Sequence, residues 1–95
     1  MTRKREPVLV VMDRGFVLFG FIDGRHTAQW RTLRNCYVVR IWGTTKGLGE
    51  LALKGPLPST VLDRDGDVVR CNSNFFLRII PCDNKAWAAF ADGAA

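Results

Sequence analysis

The sequence predicts a β-rich α+β domain: a small antiparallel sheet or partly open barrel of about six to seven strands, with one short embedded helix and a short C-terminal helix. Three observations lead there. Short runs of β-branched and aromatic residues recur along the 95 residues, and glycine and aspartate punctuate them. Only two stretches, near 48–52 and 86–90, space apolar residues at helical intervals.

Taken in order, Val8–Met12 reads as a first strand and Phe16–Ile22 as a second, with Asp13-Arg14-Gly15 as the turn between them. Asp23-Gly24 is a hairpin signal, because glycine supplies the positive φ of a primed turn, and it leads into a third strand near His26–Arg31. Tyr37–Trp42 is the most strand-like segment. Simple alternation puts Val38, Arg40 and Trp42 on one face and Tyr37, Val39 and Ile41 on the other. Beyond Gly43, Leu48, Leu51 and Ala52 recur at helical spacing. Thr44 or Thr45 is placed to cap the start, and Gly55-Pro56 to stop the end. Gly47 and Gly49 weaken this helix by about 1 kcal/mol each. Thr60–Leu62, Val68–Cys71 and Phe75–Ile80 read as further strands, with Asp63–Asp67 as a turn and Pro81 as a stop. Asp83 then caps a short helix in which Ala86, Trp87 and Phe90 form an apolar stripe that either closes the domain's own core or docks on a neighbouring subunit. Residues 1–95 form one domain, with 1–6 as a flexible basic arm and 92–95 as a frayed tail.

Charge is concentrated in the centre. The formal net charge is +5, and Gly24–Gly49 holds Arg25, Arg31, Arg34, Arg40 and Lys46 with no acid. A field of that sign favours anionic partners: a nucleotide, nucleic acid or an acidic protein surface. A chain this short has little interior beyond its own core, so a ligand cavity is expected between subunits of a homo-oligomer. Cys36, Cys71 and Cys82 are odd in number and lack metal-site spacing, so they read as reduced, buried thiols of a cytoplasmic protein. Pro7–Met12 is too short for a membrane span.

The richest stretch chemically is Arg40–Gly49. A glycine-bearing turn between a strand and a helix exposes backbone N–H groups, and the helix start adds partial positive charge. Thr44 and Thr45 add hydroxyls, Lys46 a point charge, and Arg40 beside Trp42 pairs a guanidinium with a stacking surface. These residues, with Arg34, are the candidate ligand site. The Walker spacing is absent. The competing reading makes Trp42 a core residue and the glycines simple turns. Asp63-Arg64-Asp65-Gly66-Asp67 fails the EF-hand pattern, with glycine at the fourth position instead of the sixth, and reads as a solvent-facing turn. His26 is the sole histidine, and no nucleophile or paired carboxylates accompany it, so no enzyme activity, metal or cofactor is expected.

Gly15–Gly20, Leu33-Arg34-Asn35, Trp42-Gly43, Leu48–Gly55 and Ile79-Ile80-Pro81-Cys82 occur in an order that resembles a family of short proteins of tailed bacteriophages and prophages. That resemblance implies a phage origin and a β-rich fold with one embedded helix; it implies no activity. Glycines 47 and 49 depart from the family's helix-forming residues. The leading functional expectation is a non-enzymatic counter-defence protein in the host cytoplasm, sequestering an anionic, cyclic nucleotide immune signal in a basic pocket between subunits. The alternatives are nucleic-acid binding through a sheet face carrying Trp30, Trp42 and arginines, and a protein–protein role as inhibitor of a host protein or structural piece.

Overall fold

A computed structural model describes residues 6–22, 29–45 and 47–90. The expected Asp23-Gly24 turn, the start of the third strand at His26, most of the basic arm, the 92–95 tail and Lys46 lie outside the described residues.

Five strands form one antiparallel sheet: β1 (Glu6–Met12), β2 (Val17–Ile22), β3 (Trp30–Ile41), β4 (Val61–Asn72) and β5 (Phe76–Pro81), in the order β4-β3-β2-β1-β5. Helix α1 (Leu48–Lys54) joins β3 to β4, and 3-10 turns occupy Asp13–Gly15, Ser73–Phe75 and Ala88–Phe90. The expectation of six to seven strands is therefore corrected to five. Two breaks expected from composition are absorbed as bulges. At Asn35 the backbone turns left-handed (φ 51°), and the register steps from Phe19↔Tyr37 to Phe21↔Arg34, so β3 continues through it. Asparagine tolerates this conformation better than most non-glycine residues.

The second correction concerns Asp63–Asp67, which is strand and not turn. β3 offers a twelve-residue template, and β4 pairs along it with Gly66 opposite Cys36 and Arg64 opposite Tyr37; the extra residue, Asp65, is bulged. An edge strand keeps its outer side in water, so charges and a glycine cost it little.

Both faces of the sheet are apolar. On one, Leu9, Val17, Phe19, Phe21 and Val39 are covered by Leu48, Leu51 and Ala52 of α1 and by Trp87. On the other, Val8, Val10, Leu18, Ile22, Leu33, Cys36 and Cys71 are buried, and no residue of a described helix belongs to this cluster. The sheet covers this face itself. Its edges β4 and β5 would lie about 19 Å apart if it were flat, at the usual strand spacing. Yet only Ser73–Phe75 separates Asn72 from Phe76, a span that reaches at most about 15 Å. The sheet must curl, with the second core inside the curl. β4 and β5 do not pair, so it stays open along that seam.

The C-terminal segment is a turn followed by 3-10 helix, where a regular short helix was expected. The Asp83 carboxylate accepts the Ala86 N–H (2.9 Å), so the expected cap is present. Beyond it the Ala88 and Phe90 amides bond three residues back, to Lys85 and Trp87. Tertiary contacts tighten the segment. Trp87 is held by Phe19 and α1, and the Asn35 side-chain amide donates to the Phe90 carbonyl.

The three thiols are free, with Cys36 and Cys71 buried and Cys82 half-buried. Burial pushes Cys36 up to about 12, reinforced by the Asp65 carboxylate, to which its S–H donates at 3.9 Å. Burial also pushes Cys82 up to about 12 and raises Cys71. Unfolded, these thiols would ionise near the ordinary value of 9. Above that pH the native state holds more protons than the unfolded state, so stability is full below pH 9 and declines as pH rises toward 12. Urea midpoints are expected to fall across this window. A Cys36→Val, Cys82→Ala variant should fall less steeply; an unchanged slope would remove the thiols as the cause.

Candidate functional site

The Arg40–Gly49 segment lies at the end of β3 and the start of α1. The register shifts between Val39 and Ile41, so Arg40 is itself a bulge residue, which interrupts the alternation that placed it beside Trp42. Arg40 turns to the neighbouring edge strand, where its Nε lies 2.9 Å from the Asp63 carboxylate in an exposed ion pair. Trp42 is not core: it is 43% exposed, and its carbonyl accepts the Thr60 hydroxyl at 2.7 Å.

The turn donors are already occupied. The Thr45 N–H and hydroxyl both donate to the Glu50 carboxylate, at 3.1 and 3.4 Å, and the Thr44 hydroxyl donates to the Gly47 carbonyl at 2.8 Å. Glu50 also meets Lys54, one helical turn on, at 3.4 Å. The expected threonine cap is replaced by Gly47 at the cap position, with no side-chain cap bond, and Gly55 closes the helix through its N–H to Leu51. A carboxylate from α1 thus occupies the place an external anion would take. From sequence alone, Glu50 has no role in the site. Its position five residues after Thr45 is the signal that pairs them.

Arg34 stands six residues earlier on β3, roughly 20 Å from Arg40 at strand rise. It belongs to a different surface. In an antiparallel ladder, directly opposed residues project to the same side. The β3–β4 register opposes Trp30 to Asn72, Thr32 to Arg70 and Arg34 to Val68, so these six share one side of the arm. Trp30 is 58% exposed, and Val68 and Arg70 are also exposed. Neither Arg34 nor Arg70 forms an ion pair among the described residues, whereas Arg40 and Arg64 pair with Asp63 and Asp67. The Arg34 Nε is buried with no hydrogen-bond partner in the structure. Arg70 escaped sequence reading because its place opposite Thr32 depends on β4 being one continuous strand.

Chemically, this surface offers an indole face and two guanidinium groups, which can stack a base and neutralise phosphate. No group of three or more metal-ligating side chains occurs among the described residues. One open groove, of about 410 Å³, is lined by Met12, Asp13, Phe16, Leu18 and Phe75; it is largely apolar and has no basic group in its lining. No helix among the described residues is long and apolar enough to cross a membrane. Compared with known proteins, the chain matches no family model and no curated sequence.

Proposed function

We propose that this protein is a non-catalytic binding protein of phage origin whose ligand is single-stranded nucleic acid, held across the exposed side of the β3–β4 arm. The observation that carries the reading is the register: it sets an exposed tryptophan, Trp30, on the same side as Arg34 and Arg70, both without a described acidic partner. Trp30 stacks a base. Arg70 meets the backbone phosphate, and Arg34, half-buried with an unsatisfied Nε, gains a hydrogen bond when an acceptor arrives. An open face without enclosing walls suits a polymer better than a small molecule.

The phage origin rests on the order of the sequence blocks from Gly15 to Cys82, and with it comes the host cytoplasm as the place of action. Sequestration of a cyclic nucleotide immune signal, as a counter-defence, is the second reading. One observation favours it: the indole of Trp42 and the side chain of Arg40 both remain solvent-exposed at the end of β3. It requires a second copy to wall the site and the displacement of Asp63 from Arg40.

Fluorescence anisotropy with labelled oligothymidine and oligouridine separates the two. Trp30→Ala is expected to weaken binding about 5- to 150-fold, the range of a lost base stack. Arg70→Ala should weaken it for every sequence and flatten the log–log salt dependence by about 0.7. Oligonucleotide binding unchanged in both variants would reject the proposal. Calorimetric binding of cyclic di- or trinucleotides that is lost in Trp42→Ala and kept in Trp30→Ala would favour the second reading.

A further inference from the structure

We propose that the outer edge of β5, with which no described strand pairs, is a homodimer interface, at which two copies pair strand to strand around a two-fold axis near Ile79. The two outer strands of the sheet are protected very differently. β4 exposes Asp63, Arg64, Asp65, Asp67 and Arg70, the kind of charged edge that refuses further strands. β5 carries one charge, Arg78, among Leu77, Ile79 and Ile80, and leaves Leu77 64% and Ile79 41% exposed.

The backbone phase shows what that edge offers. The Cys82 N–H donates to the Pro7 carbonyl of β1 at 2.9 Å. Alternation then turns the backbone groups of Ile80 and Arg78 toward β1 and those of Ile79 and Pro81 away from it. Leu77 is the extra residue of a bulge, between Arg78 opposite Val11 and Phe76 opposite Met12. Pro81 sits at an outward position, where its missing N–H disturbs no bond within the sheet and ends the usable edge. What remains open is a short segment centred on Ile79.

A second copy is the occupant that fits. With antiparallel pairing about Ile79, each Ile79 N–H meets the partner's Ile79 carbonyl. The same edge serves both copies, so the assembly closes as a dimer and does not grow into a fibre. The area is also sufficient. Phe16 and Phe75, exposed on the adjoining groove, together with Leu77 and Ile79, present on the order of 400 Å² of apolar surface per copy, the size of the largest and often functional patch on a protein surface. Doubled, with its polar rim, it reaches the roughly 1,000 Å² that a specific interface needs. Pairing β5 with β4 of another copy would instead set the β4 charges against Leu77 and Ile79.

The test is the solution mass and its response to single changes at the edge. Light scattering is expected to give twice the 10.7 kDa protomer mass at micromolar concentration. Ile79→Lys and Leu77→Lys, each judged folded by circular dichroism, should be monomeric. Ile79→Cys, made in the otherwise unchanged chain, keeps the proposal falsifiable should either lysine variant fail to fold. Opposed Cα atoms in a hydrogen-bonded pair stand about 5.5 Å apart, within disulfide range, so mild oxidation should give a covalent dimer. A monomer up to millimolar concentration, a dimer that survives both lysine variants, or a dimer that Ile79→Cys does not cross-link would overturn it.

Discussion

Trp87→Ala is expected to destabilise the protein by about 3–5 kcal/mol, the range for removing a large buried aromatic side chain. Trp87 is fully buried and stacks on Phe19, with centroids 4.0 Å apart and planes 17° from parallel. Its indole N–H donates to the Ala52 carbonyl at 3.1 Å. That single residue joins three parts of the molecule: β2 through Phe19, the end of α1 through Ala52, and the C-terminal turn through its own backbone. Phe90 gathers around it, edge-on to both Phe19 and Tyr37. Truncation leaves a cavity beneath α1 and removes one of the two hydrogen bonds that the Ala52 carbonyl accepts, the other coming from the Asp83 N–H at 2.9 Å. Trp87→Phe separates these costs, since it keeps most of the stack and loses the hydrogen bond; it should lose about 1–2 kcal/mol. Urea denaturation measures both. A loss below 1 kcal/mol for Trp87→Ala would mean that the C-terminal turn is not integral to the core.

The same residue shows what the sequence could carry. Helical spacing put Trp87 and Phe90 on one apolar stripe, and they do share a side although the segment is a turn followed by 3-10 helix, because a tight turn also places residues three apart on one side. The β1–β2 pair was legible from its β-branched runs and the turn chemistry of Asp13-Arg14-Gly15. Asp63–Asp67 was not. Aspartates and a glycine in five residues satisfy every local rule for a turn, and only the long β3 template opposite them makes a strand. The placement of Arg40 beside Trp42 meets a related difficulty. Arg40 and Trp42 were joined by a period of two, which holds only along an unbulged strand. Arg34 was singled out for its charge alone. Its company, Trp30 and Arg70, is set by a register with β4 that no local pattern encodes. Thr45 and Glu50 were both visible, but their side chains meet because the chain turns at Gly47, where φ is 86°.

The glycines of that segment give the second large effect, and they are not equivalent. Gly43 has φ 69°, and a Cβ there would stand 2.4 Å from the Ser59 carbonyl carbon and the Thr60 nitrogen. Both are backbone atoms beside the Thr60–Trp42 hydrogen bond, so neither can yield without moving the start of β4. Gly47 has a similar φ of 86°, yet nothing lies within 4 Å of the corresponding position. Gly47→Ala should therefore cost only the conformational strain of about 1–2 kcal/mol. Gly43→Ala bears the same strain plus a backbone collision, and is expected to lose at least about 3 kcal/mol. The difference assigns the two glycines distinct roles: Gly43 lets the end of β3 pass close to the loop before β4, whereas Gly47 only turns the chain into α1. If Gly43→Ala and Gly47→Ala unfold at the same urea concentration, the close passage of Gly43 against Ser59 and Thr60 does not exist in solution. If they separate as expected, Trp42 is held by a rigid neighbour on its C-terminal side, and its exposure is imposed by the fold.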